Sequence, residues 1–315
     1  MSKTKSKILI TIALLLAILL FIINPSICMK STLNGLKIWL FNVVPALFPF
    51  FILTRIISNL NQNSISFLDN ITYKLFHTKN AGLIYPLSLL SGYPVGAKLI
   101  SNYYENSTID KSTATKMFSF CSTSGPMFII GTIGIGVFKN AKIGYILLIG
   151  HIIGSLLNGL LYRGKTSNAN ILSTTPPKSN TDVMYDSIIS ILLVGGYIVF
   201  ASVIIELLNI SNILPLLTKF ICKIPCFNYN AVYAFLCGII EMTNGLILLN
   251  STGIALSTQI ILSSILIAFS GISIMLQSTS FLKKIGISSR TMLLQKFTQT
   301  IFTAIITSLL VIIIF

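Results

Sequence analysis

The sequence predicts an all-α protein that crosses a lipid bilayer many times, built from two related halves whose helices are in places broken or re-entrant. Three observations carry that class. Of 315 residues, 54% are apolar and only 9% charged, whereas a soluble domain carries about 25% charged residues to cover its surface. Many charge-free stretches reach the roughly 20 residues that a helix needs to cross hydrocarbon. Others are interrupted by Gly, Pro or a carboxylate, which lipid tolerates only where protein encloses the backbone or a wet cavity receives it. The same composition is too hydrophobic for a disordered chain. The 22 Lys and Arg against 7 Asp and Glu, net +15, stand singly between apolar runs, so the expected partners are membrane lipids with anionic headgroups, and no nucleic acid. The five cysteines form no CxxC pair and read as reduced, mostly buried thiols.

The elements follow in order. Lys3, Lys5 and Lys7 precede the apolar run Ile8 to Ile23, a pattern shared by signal peptides and short first spans. Without an A-x-A site at its exit, residues 1–30 are expected to form a retained N-terminal membrane helix. Residues 31–161 make the first half, with spans at Leu36 to Ile57, Met117 to Phe138 and Ile143 to Leu161 and a broken stretch from Ala81 to Leu99. Residues 162–187 read as a polar linker with Arg163, Lys165, Pro176-Pro177 and Lys178. Residues 188–315 make the second half. Its spans are Ile188 to Leu208, Ile254 to Met275 and Phe297 to Phe315; Ala231 to Leu249 is broken, and Lys283, Lys284, Arg290 and Lys296 read as a basic loop before the last span. In each half a break is followed by a Ser/Gly-rich span, Gly96 leading to Gly125 and Gly245 to Gly271. Matching interruptions mark transporters whose site lies at a repeat interface; small residues at ordinary helix contacts give the alternative reading.

No HExxH, GxSxG or P-loop is present and His77 and His151 are the only histidines, so no enzyme, no cofactor and no bound metal are expected. His151 reads either as a hydrogen bond between helices or as part of a solute or proton path. The most informative stretch is Ser91-Gly92-Tyr93-Pro94-Val95-Gly96-Ala97-Lys98. Gly92 and Gly96 accept geometries closed to other residues, and Pro94 removes a donor and disfavours helix at Tyr93. Free N–H groups opening the following half-helix, with Lys98 in its first turns, make a positive pocket for a carboxylate or phosphate; a Pro kink with Lys98 snorkelling to the interface is the alternative. Ser122, Ser124 and Gly125 stand at a second break, in Ser122-Thr123-Ser124-Gly125-Pro126, where hydroxyls either re-satisfy carbonyls or face a solute. Glu241, with Thr243 and Gly245, forms the opposing cluster; a carboxylate in an apolar stretch has to pair, protonate or face water. Pairing of Glu241 with Lys98 is one such expectation.

At these residues the chain resembles the sporulation integral membrane proteins of the YlbJ type, within the nucleoside-recognition or Gate-domain membrane proteins. The likeness rests on Leu33 to Lys37, Val44 to Phe51, Ser91 to Lys98, Phe120 to Phe128, and Gly238 to Gly245, which is similar to a Gly-x-x-Glu-x-Thr-x-Gly pattern. One departure is Ser122 to Pro126, where an Asn-rich version is expected. The resemblance implies an endospore-forming bacterium and transport of dipicolinic acid, a small planar anionic solute, from mother cell towards forespore across the outer forespore membrane. A nucleoside or other small-solute carrier, and a non-transporting scaffold for other sporulation membrane proteins, are the rival readings; a homo-oligomer is compatible with any of them.

Overall fold

Polar residues that cap helices and glycines that end them punctuate the chain, and the helices between are apolar enough to face lipid. The computed structural model describes residues 3–60, 66–78, 81–164 and 180–315, and among these every regular element is helical. After α1 (Lys3–Ile23), α2 (Pro25–Lys37) runs through a π-helical segment, Ile38–Val43, into α3 (Val44–Leu60). A short α4 (Ser66–Phe76) precedes α5 (Ile84–Ser91), α6 (Val95–Glu105) and α7 (Lys111–Cys121); a second π-helical segment, Met127–Val137, leads to α8 (Ala141–Leu161). The second half contains α9 (Asn180–Ile210), α10 (Ile213–Ile221), α11 (Tyr229–Ile240), α12 (Met242–Asn250), α13 (Leu256–Phe269), α14 (Gly271–Leu282) and α15 (Ser289–Ile314).

Five described helical stretches are long and apolar enough to cross a membrane: Pro25–Leu60, Ala141–Leu161, Val183–Ile210, Leu256–Ile285 and Ser289–Ile314. Three expectations need correction. Met117 to Phe138 is not one span, because α7 stops at Cys121 and helix resumes at Met127, beyond Gly125 and Pro126. The linker ends earlier than expected: residues 180–187 already belong to α9, and the segment 165–179 lies outside the described residues. Lys296 does not sit in a loop but on the second turn of α15, with 1% of its surface exposed.

Inside and outside are arranged for a lipid solvent. On α15, Leu293, Phe297, Ile301 and Ile305 face outward, while Lys296, Gln299, Thr303 and Thr307, spaced three or four apart, face inward. That polar stripe is the inverse of a soluble amphipathic helix. It packs on α8, where Gly150 and Gly154 leave room for Thr307 and Thr303; a Cβ on either glycine would fall on the facing threonine hydroxyl. Small residues four apart let membrane helices approach closely. Around Phe51, Phe128, Ile133, Leu246 and Leu266 an apolar core joins helices from both halves.

Candidate functional site

Two pairs of broken helices cross, one pair in each half. In the first, the break between α5 and α6 lies against the break after α7: Gly92 has φ of +76°, and a Cβ there would stand 2.5 Å from the backbone nitrogen of Gly125. In the second, α13 ends at Ser270, and Gly271, also at φ +76°, would place a Cβ 3.1 Å from the backbone nitrogen of Met242, directly after the Glu241 break. Positive φ is strained for residues with a side chain, so the same device, a left-handed glycine pressed on the partner's broken backbone, occurs in both halves. Between Tyr93 and Pro94 the peptide bond is cis, and Pro94 occupies the N-cap of α6.

Tyr93 ties the halves together. Its hydroxyl lies 3.3 Å from the carbonyl of Ile267 and 3.4 Å from that of Ala268, at the end of α13, and accepts a hydrogen bond of 2.7 Å from the ammonium of Lys296. Lys296 also donates to the Ser122 carbonyl at 2.8 Å and to Gln299 Oε1 at 3.0 Å. The Ser122 carbonyl closes the C-terminal end of α7, where unpaired carbonyls accumulate negative partial charge; a tethered N–H donor is suited to that position. Beside it, the backbone N–H of Ser124 donates to Nε2 of the fully buried His151 at 2.9 Å, so His151 serves the break as an acceptor from α8.

At the second-half break the charge is reversed. Glu241 is 1% exposed and caps α12: Oε1 accepts from the N–H of Thr243 at 3.1 Å, and Oε2 accepts from the N–H of Asn244 at 2.8 Å and from its side-chain amide at 3.0 Å. The carboxylate therefore fills the anion site that its own half-helix N-terminus creates. The expected pairing with Lys98 does not form. Lys98 instead donates to Ser190 Oγ at 3.1 Å, an oxygen that also accepts from Arg55 at 2.9 Å. Arg55 in turn pairs with Asp186 at 2.6 Å.

These contacts separate the expected site residues into groups. Tyr93, Ser124, Glu241 and Thr243, drawn from three breaks and both halves, line a chamber of about 30 Å³ with Gln277 of α14. Lys98 lines a larger vestibule of about 350 Å³ with Arg55, Asp186 and Ser190. Vestibule and chamber share two walls: Val183, Asp186 and Ser190 of α9 line the first and Val194 and Ile198 the second, while Phe51 and Arg55 of α3 line the first and Leu47 the second. Gly96 and Gly245 line neither cavity. Gly96 admits the Cys121 carbonyl and Gly245 the backbone of Gly238, both as helix contacts. Ser122 contributes its carbonyl, and Gly92, Pro94 and Gly125 shape the crossing.

Lys296 and Gln277 were not singled out by sequence reasoning. Both lay on a readable pattern: Lys296, Gln299, Thr303 and Thr307 on α15, and Ser270, Ser273 and Gln277 on α14, recur at helical spacing among apolar residues and are all buried.

No family model matches the chain, and no solved structure does. It is similar to the sporulation integral membrane protein YlbJ of Bacillus subtilis (strain 168), at 26% identity over 91% of this chain and 78% of that protein. With its apolar helices and this resemblance along most of its length, the chain is an integral membrane protein similar to YlbJ.

Proposed function

We propose that the protein carries a small anionic solute across a bacterial membrane during endospore formation. The specific reading is dipicolinate moved from mother cell towards forespore across the outer forespore membrane, by a carrier that performs no catalysis. The observation that carries the proposal is the convergence of broken helices from both halves on one small chamber, where Tyr93, Ser124, Glu241, Thr243 and Gln277 stand among apolar side chains, beside a vestibule lined by Arg55, Lys98, Glu105 and Asp186. Unwound backbone at the meeting of two halves is how many secondary transporters form a solute site. Arg55 and Lys98 can draw an anion towards that lining, where it competes with the carboxylates of Asp186 and Glu105. A volume of about 30 Å³ holds about two water molecules, so this conformation is closed and the halves have to part around Tyr93 for a solute to enter. The name of the similar protein supports the sporulation setting.

The test is uptake of labelled dipicolinate into liposomes that contain the purified chain. Saturable uptake above protein-free liposomes, weakened by Lys98→Ala, is the expected result; uptake equal to empty liposomes would overturn it and favour a scaffold. One observation favours a nucleoside or other neutral solute as the second reading: Gln277 offers both a donor and an acceptor to the chamber. Competition by uridine but not by dicarboxylates would decide for it.

A further inference from the structure

We propose that Gln277 is a solute-binding residue, and that the cargo presents a hydrogen-bond donor and an acceptor side by side, as a singly protonated carboxylic acid, an amide or a nucleobase edge does and a bare dianion does not. This rests on reading the chamber as the solute site. Gln277 is 3% exposed, and among the described residues neither its Oε1 nor its Nε2 has a hydrogen-bond partner. Buried polar groups in folded proteins are almost always satisfied, and an orphaned amide weakens the fold unless something else meets it.

Several other polar groups around the chamber are already engaged. Tyr93 accepts from Lys296, the N–H of Ser124 is held by His151, and both oxygens of Glu241 receive backbone N–H groups. Gln277 is the chamber side chain with an acceptor and two donors unspent. A fully ionised dicarboxylate carries only acceptors, so it can meet Nε2 but leaves Oε1 facing another lone pair. Protonating the cargo once removes that conflict: the acid O–H, or a ring N–H, donates to Oε1 while the neighbouring oxygen accepts from Nε2. For dipicolinate, the transported species is then the monoanion, taken in at the chamber after the vestibule cations have gathered it.

The experiment compares the full-length wild type with Gln277→Leu, which keeps the volume and removes the amide. Thermal unfolding in detergent is measured with and without dipicolinate, isophthalate and uridine, at mildly acidic and mildly alkaline pH, alongside proteoliposome uptake. Gln277→Leu is expected to be at least as heat-stable as wild type without solute, because an unpaired amide is gone, yet to bind the stabilising probe roughly tenfold more weakly. Wild-type binding of dipicolinate is expected to strengthen at the lower pH, and so is that of isophthalate, whose singly protonated form offers the same acid O–H and carbonyl to the amide. A Gln277→Leu protein less stable than wild type assigns the amide a structural role and overturns the proposal. Unchanged probe binding in that variant, or no probe stabilising the wild type, overturns it as well. If a probe stabilises wild type but not Gln277→Leu while wild-type liposomes take up nothing, the binding site stands and the carrier reading falls.

Discussion

The ammonium of Lys296 donates a 2.7 Å hydrogen bond to the hydroxyl of Tyr93, 203 residues earlier in the chain. One side chain from the last helix thus holds the first break in place, and its other two bonds go to the Ser122 carbonyl and Gln299. The three groups that accept from Lys296 are neutral: a phenol hydroxyl, a backbone carbonyl and an amide oxygen. Lys296→Met is expected to leave several buried acceptors unpaired at about 1–3 kcal/mol each, and to lower the unfolding temperature of the detergent-solubilised protein markedly. Tyr93→Phe, which removes one acceptor and keeps the ring, should fall between Lys296→Met and wild type. Equal stability of all three proteins would show that the contact contributes nothing.

Glu241 caps a helix inside the protein. Glu241→Ala is expected to destabilise by about 0.5–2 kcal/mol, the usual loss for a removed N-cap, and Glu241→Gln by less, because its amide oxygen still accepts one N–H. Thermal unfolding of the two variants checks the order. A Gln variant as damaged as the Ala variant would mean that the negative charge at the α12 N-terminus, not the hydrogen bond, carries the effect.

The crossed breaks predict a paired response to alanine. Gly92→Ala and Gly271→Ala both meet φ of +76°, so each is expected to lose about 1–3 kcal/mol from backbone strain. Gly92→Ala should be the worse, since its Cβ would lie 2.5 Å from the Gly125 nitrogen against 3.1 Å from Met242 for the other. The yield of monodisperse protein after extraction ranks them; a better yield for Gly92→Ala than for Gly271→Ala would contradict the geometry.

Across the vestibule, Arg55 and Asp186 lie on helices of different halves, with side chains 18% and 26% exposed. Partial exposure screens the pair, so a double-mutant cycle with Arg55→Gln and Asp186→Asn is expected to return a coupling of about 1 kcal/mol. Their larger effect should fall on solute entry. Asp186→Asn leaves the vestibule more positive and is expected to strengthen anion uptake at low salt and to lose that advantage at high salt. Uptake insensitive to salt in both proteins would remove electrostatic gathering from the account.

The sequence by itself determined the class of molecule and the positions of its interruptions. Low charge and long apolar runs leave no soluble alternative, and Gly92-Tyr93-Pro94, Gly125-Pro126 and Glu241 disturb a helix wherever it is placed, because glycine freedom, the missing proline donor and the cost of a buried carboxylate act on the local chain. Local signals could not say which breaks meet. Lys98 looked like the cation of the site from its place in the first turn of α6, yet the rotation of that helix sends it to Ser190 and the vestibule, while Lys296, read as part of a loop, arrives at Tyr93 and Ser122. Which buried groups find partners depends on how helices from distant parts of the chain pack and rotate against one another. Only the tertiary structure decided that Lys296 would be satisfied, that Lys98 would turn to Ser190 and not to Glu241, and that Gln277 would face the chamber with its amide unspent.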